Sequence, residues 1–184
     1  MTINIFQKNW AFTSSNSDKP QIKTGSFGPC YVVTFTSGPF ASMAHLDTTT
    51  KVESLSLIFD KFKENSVSPR DVKVVIIGGW KENTESFKWG EKIVAKIMEA
   101  GFEKVSTKNM YLKKALATLG RVQKNLLHNY YHFGALVDAT SGKTFLLKEL
   151  STSIDKEQVR QSKEFYEKHF SDADWEVALT QVIS

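Results

Sequence analysis

The hydrophobic positions of this chain change period several times, and each change marks an element. Cys30 to Thr36 (Cys-Tyr-Val-Val-Thr-Phe-Thr) is dense in β-branched and aromatic residues and predicts a strand. Ser37-Gly38-Pro39 is a turn signal, and Phe40 to His45 predicts a partner strand, so the two form a hairpin. Val52, Leu55, Ile58, Phe59 and Phe62 then recur at helical spacing. Thr50 with Glu53 fits a capping box that starts this helix near Lys51. Val72 to Ile77 is an apolar run broken by one lysine and closed by Gly78-Gly79, the pattern of a buried central strand with a tight exit. A second helix is expected from about Ser86 to Ala100, with Phe87, Val94, Ile97 and Met98 on one stripe and Gly101 as its stop. Tyr131 to Asp138 and Lys143 to Leu147 flank Ala139-Thr140-Ser141-Gly142 and predict another hairpin. Two helical patterns fill the tail, one near Asp155 to Phe170 and one from Ser171 to about Ile183.

Hairpins on both sides of a strand–helix pair exclude a simple all-parallel doubly wound sheet. The expected class is α+β, a mixed, largely antiparallel sheet or sandwich with flanking helices. The organisation expected over 1–184 is a single domain, with a core over 22–150, an N-terminal arm over 1–21 and a C-terminal helical extension over 151–184. The arm is expected to be loose or to lie over the surface, because Thr13-Ser14-Ser15-Asn16-Ser17-Asp18 is polar and turn-forming.

Composition narrows the class. With 41% hydrophobic and 24% charged residues, and 4 Pro and 10 Gly in 184, the chain can bury a core and is neither collagen-like nor wholly disordered. No apolar run approaches the roughly 18 residues of a membrane span. Met1 to Phe12 lacks the pattern of a secretory signal. One cysteine excludes an internal disulfide framework and suits a reducing compartment. A cytoplasmic location is therefore expected, with an exported effector acting in a host cytoplasm as the alternative. The net charge is +4, and residues 104–124 hold Lys104, Lys108, Lys113, Lys114, Arg121 and Lys124 with no acid among them. No nucleic-acid-binding motif accompanies this patch, so a solvated face is the simpler reading and nucleic acid is disfavoured as a partner.

The candidate chemistry centres on Cys30. It follows Thr24-Gly25-Ser26-Phe27-Gly28-Pro29, and two glycines and a proline just before a thiol are unusual for a core strand. Such a loop can turn several N–H groups inward as an oxyanion hole. His45 ends the partner strand of the predicted hairpin, so antiparallel pairing brings it near the start of the first strand, where Cys30 stands. A thiol has an ordinary pKa of about 8.5 and needs a nearby base to act near neutral pH, which an imidazole supplies. The plain alternatives are an inert strand cysteine and a satisfied structural histidine. Thr24 could orient the imidazole or bind a substrate amide. Asp47 could hold the histidine tautomer, bind a substrate amine, or simply precede a helix. His128, His132 and His169 are read as structural. No Cys cluster or Asp-x-Asp-Gly loop supports a metal site, and no phosphate-binding glycine motif supports a nucleotide, so neither metal nor cofactor is expected.

These residues together resemble a family. Thr24 to Cys30 is similar to the Thr-x-x-x-x-x-Cys segment of the chemoreceptor glutamine deamidases. Met43-Ala-His45-Leu-Asp47-Thr-Thr-Thr-Lys51 resembles the His-x-Asp-Gly-Thr-x-Thr-Lys stretch of protein N-terminal asparagine amidohydrolases. Val74-Val-Ile-Ile-Gly78-Gly79-Trp80 is similar to their Val-Gly-Gly-Phe strand end, and Tyr131-His-Phe-Gly134-Ala-Leu-Val to their Tyr-Gly-Ile-Ala-Val strand. The resemblance spans roughly 22–150. It implies a cysteine amidohydrolase that deamidates an N-terminal asparagine of a protein or peptide to aspartate. Cys30 would be nucleophile, His45 general base and acid, and Thr24 the supporting hydroxyl. Asp47, Gly28, Pro29, Gly78 and Gly79 are the candidate substrate-binding positions. The alternatives are a glutamine deamidase acting on a folded protein, and a non-catalytic binding module that uses the basic face.

Overall fold

The structure, a computed structural model, describes residues 1–27, 30–81, 83–111, 133–147 and 178–183. Ten strands and two helices of more than one turn lie among them. In chain order they are β1 (Thr2–Asn4), β2 (Asn9–Ser14), β3 (Gln21–Phe27), β4 (Tyr31–Ser37), β5 (Phe40–Leu46), α1 (Ser56–Glu64), β6 (Lys73–Gly78), α2 (Thr84–Glu99), β7 (Lys104–Met110), β8 (Phe133–Asp138), β9 (Lys143–Leu147) and β10 (Thr180–Gln181). Short 3-10 turns cover Val52–Leu55 and Pro69–Asp71. A four-stranded sheet has the order β1-β3-β8-β9, and a six-stranded sheet the order β10-β2-β5-β4-β6-β7. Most pairings are antiparallel; β6 and β7 run parallel because α2 carries the chain between them. The mixed, largely antiparallel α+β class expected from the sequence is the class observed.

Strands β4 and β5 explain the layering. Nearly every residue on them is buried, so both faces of their sheet are covered. On one face Tyr31, Val33, Phe35, Ala44 and Leu46 pack against Ile58 and Phe62 of α1 and Trp89, Ile93 and Ile97 of α2. Aromatic rings fill this layer, with Phe59 and Phe102 centred 4.8 Å apart and both beside Phe35. On the other face Val32, Ala41, Met43 and Ile77 meet Ile3, Ile22, Ala135 and Val137 of the smaller sheet. The molecule is thus helices, large sheet, small sheet, with one core in each gap. No helix among the described residues is long and apolar enough to cross a membrane.

Several expectations hold in detail. Gly38 (φ 53) and Pro39 make the two-residue link between β4 and β5. Gly101 (φ 87) ends α2. Gly142 (φ 63) closes the β8–β9 turn, where Asp138 accepts from the Thr140 amide and the Ser141 hydroxyl. Others are corrected. The expected arm over 1–21 holds β1 and β2, and β2 pairs with β5 inside the large sheet; alternating Trp10 and Phe12 against Ala11 supply its two apolar faces. The capping box does not form: Thr50 bonds to Asp47 instead, and the first turn starts without a side-chain cap. The inner stripe of α2 is Ser86, Trp89, Gly90, Ile93 and Ile97, while Phe87 and Met98 lie outside it at 36% and 61% exposure. Helix α2 rotates so that its small residues face Tyr31. The end of the second predicted tail helix is also corrected: Thr180–Gln181 is β10, which pairs parallel with Asn9 and Trp10 of β2. The rest of the predicted tail helices up to residue 177, the basic segment beyond Tyr111, and Tyr131 and His132 at the start of the predicted hairpin lie outside the described residues.

Tyr31 is the tightest packing point. It is fully buried, its hydroxyl donates to the Ser86 carbonyl at 2.7 Å, and burial holds its pKa well above the ordinary tyrosine range. A Cβ on Gly79 or Gly90 would collide with its phenol, and Gly79 also has φ 79. Gly79→Ala should therefore cost about 2–4 kcal/mol, from left-handed strain plus overpacking. Gly142→Ala, at positive φ with open space around it, should cost only about 1 kcal/mol. Chemical denaturation of both variants checks the difference; equal losses would show that the Tyr31 contact carries no weight.

Candidate active site

The site lies between the two sheets, at the end of the β4–β5 hairpin away from its turn. The register sets Val32 opposite His45 and Tyr31 opposite Leu46. Val32 faces the sheet–sheet layer, so His45 shares that face. Cys30, two residues before Val32, packs against the same layer. Thr24 comes from β3 of the facing sheet, and its Oγ1 is 2.9 Å from His45 Nδ1 in a buried hydrogen bond. Such a bond fixes the imidazole plane and assigns a role to each ring nitrogen. The β3 ladder to β8 shifts register between Thr24 and Phe27, just past this contact.

The backbone of Cys30 is held from behind. Gly78 and Gly79 leave β6 with φ 99 and 79, and the Gly79 amide donates to the Cys30 carbonyl at 3.0 Å. Gly79 thus lies behind the cysteine against the Tyr31 phenol, and Gly78 pairs with Tyr31 across the β4–β6 ladder. Gly28 and Pro29 lie outside the described residues, as do His128, His132 and His169. His128 and His132 stand four apart in the sequence, a spacing that a helix would put on one face. Among the described residues, no group of three His, Cys, Asp or Glu side chains could hold a metal.

Asp47 directly follows β5 and is knotted into its own turn. Its Oδ1 accepts from the Thr49 amide at 2.9 Å, the Thr49 hydroxyl at 2.7 Å and the Thr50 hydroxyl at 3.0 Å. Its Oδ2 lies 2.6 Å from Lys8 Nζ, with both side chains almost wholly buried. Lys8 is one residue the sequence reading missed. It has φ 64, and its own amide donates to the His45 carbonyl at 2.8 Å. Gln7 is the other: its Nε2 donates to Cys30 Sγ at 3.5 Å. Both sit in the turn between β1 and β2. The one sequence signal for them is a Gln-Lys pair set between the alternating patterns of two strands.

The chain's kinship rests on a match over most of its length. The family model for protein N-terminal asparagine amidohydrolase matches residues 1–177. The chain belongs to this family. The match takes in Gln7 and Lys8, upstream of the core expected to begin at residue 22. No curated protein matches the chain. Among solved structures it is similar to the crystal structure of YlmD from Geobacillus stearothermophilus, at 12% identity and a TM-score of 0.44, over 58% of this chain and 53% of that one. It is also similar to the hypothetical protein YfiH from Bacillus licheniformis, at 14% identity and a TM-score of 0.40, over 55% of this chain and 49% of that one. The chain thus spans about half the length of these two structures.

The electrostatics of the candidate site in this family member are set by burial. Desolvation pushes the Cys30 thiol up to about 12, and Asp47 adds to it, while Gln7, Lys8 and the cysteine's own amide oppose. Desolvation lowers the His45 imidazole to about 4, reinforced by Lys8 and opposed by Asp47. Burial alone would raise Asp47, but the Lys8 charge and bonds from Lys8 and Thr49 outweigh it and hold the carboxyl below its usual range. At neutral pH the resting site is therefore a neutral thiol, a neutral imidazole and a buried Lys8–Asp47 ion pair.

Two outcomes follow from these shifts. His45 binds its proton less readily folded than unfolded, so stability is intact above about pH 6.5 and falls as pH drops toward about 4. Urea melts over this window should show a slope approaching about 1.4 kcal/mol per pH unit from this one group. His45→Gln should flatten it, and an unchanged slope in that variant would assign the loss elsewhere. Alkylation of Cys30 by iodoacetamide should quicken about tenfold per pH unit between roughly pH 7 and 10. A plateau below pH 8 would refute the neutral-thiol resting state.

Proposed function

We propose that this chain is a cysteine-dependent amidohydrolase that converts an N-terminal asparagine of a protein or peptide to aspartate and releases ammonia. The observation that carries the reading is the buried Thr24–His45 hydrogen bond on the face against which Cys30, just before β4, packs, in a chain of this family. In this reading Cys30 Sγ attacks the carboxamide carbon as its proton passes to His45 Nε2, and the carbonyl electron pair moves onto oxygen. The tetrahedral adduct collapses, and ammonia leaves with the proton that His45 returns. A water, deprotonated by His45, then hydrolyses the thioester to the carboxylate and frees the thiol. Thr24 keeps the ring aligned through both steps. No metal or cofactor takes part in these steps, and a cytoplasmic setting suits a protein that works through a free thiol.

Asp47 supports recognition of a free N-terminus, because its Oδ2 already holds one ammonium, that of Lys8, close to the nucleophile. An entering α-ammonium competes with Lys8 for that oxygen. The same ion pair also favours a second reading. If Lys8 never yields, no substrate ammonium is needed, and the amide is an internal glutamine of a folded protein.

Ammonia release from matched peptides separates these readings. Peptides with a free N-terminal Asn should be turned over, while N-acetylated peptides and internal Asn or Gln should not. Cys30→Ala should lose turnover to below a few per cent. Residual activity in that variant would remove the cysteine from the chemistry, and release from internal glutamine alone would select the second reading.

A further inference from the structure

The turn between β1 and β2 crosses from one sheet to the other directly over the site. The Ile5 amide still pairs with Lys23 of the small sheet at 2.9 Å, and three residues later the Lys8 amide pairs with His45 of the large sheet at 2.8 Å. Between them the Asn9 amide donates to the Phe6 carbonyl at 3.0 Å, closing a tight turn with Lys8 at its third position. A lysine at φ 64 is unfavourable there, where glycine or asparagine is usual. Such strain persists where surrounding contacts impose it. Here the contacts are the Lys8–Asp47 pair and the bond from the Thr180 amide to the Lys8 carbonyl at 2.9 Å. The strained turn carries Gln7 as its second residue, and Gln7 delivers an amide N–H to Cys30 Sγ.

We infer that the Gln7 side-chain amide is an oxyanion donor of this site, a catalytic residue supplied by the N-terminal turn. The inference rests on the proposed reaction at Cys30. When Sγ bonds to the carboxamide carbon, the former carbonyl oxygen stands on that same carbon, next to the sulfur. A donor that touches Sγ in the resting site needs only a small shift to reach the oxygen as charge develops on it. At rest Gln7 meets a neutral thiol, a poor acceptor, so its bond strengthens on the way to the adduct, which is the condition for lowering a barrier. The Cys30 backbone amide also acts on its own sulfur and opposes the rise of its pKa. No bond to Gln7 forms or breaks: its N–H donates to the oxyanion and withdraws when the adduct collapses to the thioester.

The test is steady-state turnover of an Asn-initiated peptide by Gln7→Ala and by Gln7→Met, which keeps the side-chain length without a donor. Iodoacetamide alkylation of Cys30 is followed in parallel. kcat should fall about a hundredfold or more in both variants, with KM changed less than about threefold. Alkylation should slow by less than about threefold. Full kcat in either folded variant would overturn the inference. A parallel fall in alkylation and kcat would overturn it too, by making Gln7 a support of the thiolate. Conversion of Gln7 to glutamate in the wild-type protein, read by mass spectrometry, would make it a substrate and would also overturn it. Wild-type turnover that is lost in Cys30→Ala but kept in both Gln7 variants defeats this inference alone. A silent wild type, or an active Cys30→Ala, defeats the underlying reaction.

Discussion

Burial of β4 and β5 on both faces is the constraint that the rest of the molecule obeys. A strand presents alternate residues to opposite sides, so one hairpin has to serve two cores at once. Tyr31, Val33 and Phe35 of β4 with Ala44 and Leu46 of β5 fasten the helices, while Val32 of β4 with Ala41 and Met43 of β5 face the small sheet. Cys30 and His45 fall on the sheet–sheet side. A one-residue slip between β4 and β5 would turn His45 toward the helices and end its bond to Thr24. Registry of the core and assembly of the site are the same event. Tyr31 enforces it, because its phenol fits only where Gly79 and Gly90 carry no side chain, and Gly79 holds the Cys30 carbonyl.

That location also dictates the electrostatics. His45 is buried and Cys30 partly buried between the two sheets, and loss of water penalises a lone thiolate and a lone imidazolium alike. Opposite charges about 4 Å apart gain roughly 4 kcal/mol at an effective dielectric near 20, worth about three pK units. The separation between about 12 for Cys30 and about 4 for His45 exceeds that gain. A ready-made ion pair is therefore not the resting state. In the proposed reaction the proton moves as the carbon–sulfur bond forms, when the developing charge passes from sulfur to oxygen. The burden of stabilisation then falls on the donors around that oxygen.

What the sequence disclosed follows the range of the interactions involved. The β4–β5 hairpin is local, its turn is marked by Gly38-Pro39, and its register alone sets His45 at the end where Cys30 stands. The resemblance in Met43 to Lys51 points to the same place. Thr24 was legible by its closeness to Cys30, although its bond to His45 crosses between sheets. The misread features are tertiary. Thr50 was taken by the Asp47 turn, a competition between two local motifs that spacing alone does not decide. The buried stripe of α2 includes Ser86 and Gly90 because the helix must approach Tyr31, so apolar periodicity pointed to Phe87 and Met98 instead. Strand β2 is short, half polar at its end, and followed by Ser15-Asn16-Ser17-Asp18, so it resembled an arm. Its place in the sheet depends on β5, almost thirty residues later.

The two side chains of the candidate site that the sequence did not disclose share one cause. Gln7 and Lys8 are ordinary surface residue types, and nothing within ten residues of them tells where they point. Their direction is fixed because residues 5 to 8 leave the small sheet at Lys23 and join the large sheet at His45. The crossing bridges the two layers at the site itself, so the bonds that seat the turn also close the space around Cys30. A lysine at positive φ costs the turn about a kcal/mol, and the buried pair with Asp47 offsets that cost by keeping a charge from being stranded. If either member of the pair were lost, the other would be an uncompensated buried charge. The turn would then have no reason to keep its strained form, and Gln7 would leave the sulfur with it. The ion pair and the Gln7 amide are thus one device, in which the charge held at Lys8 fixes the position of the side chain beside Cys30.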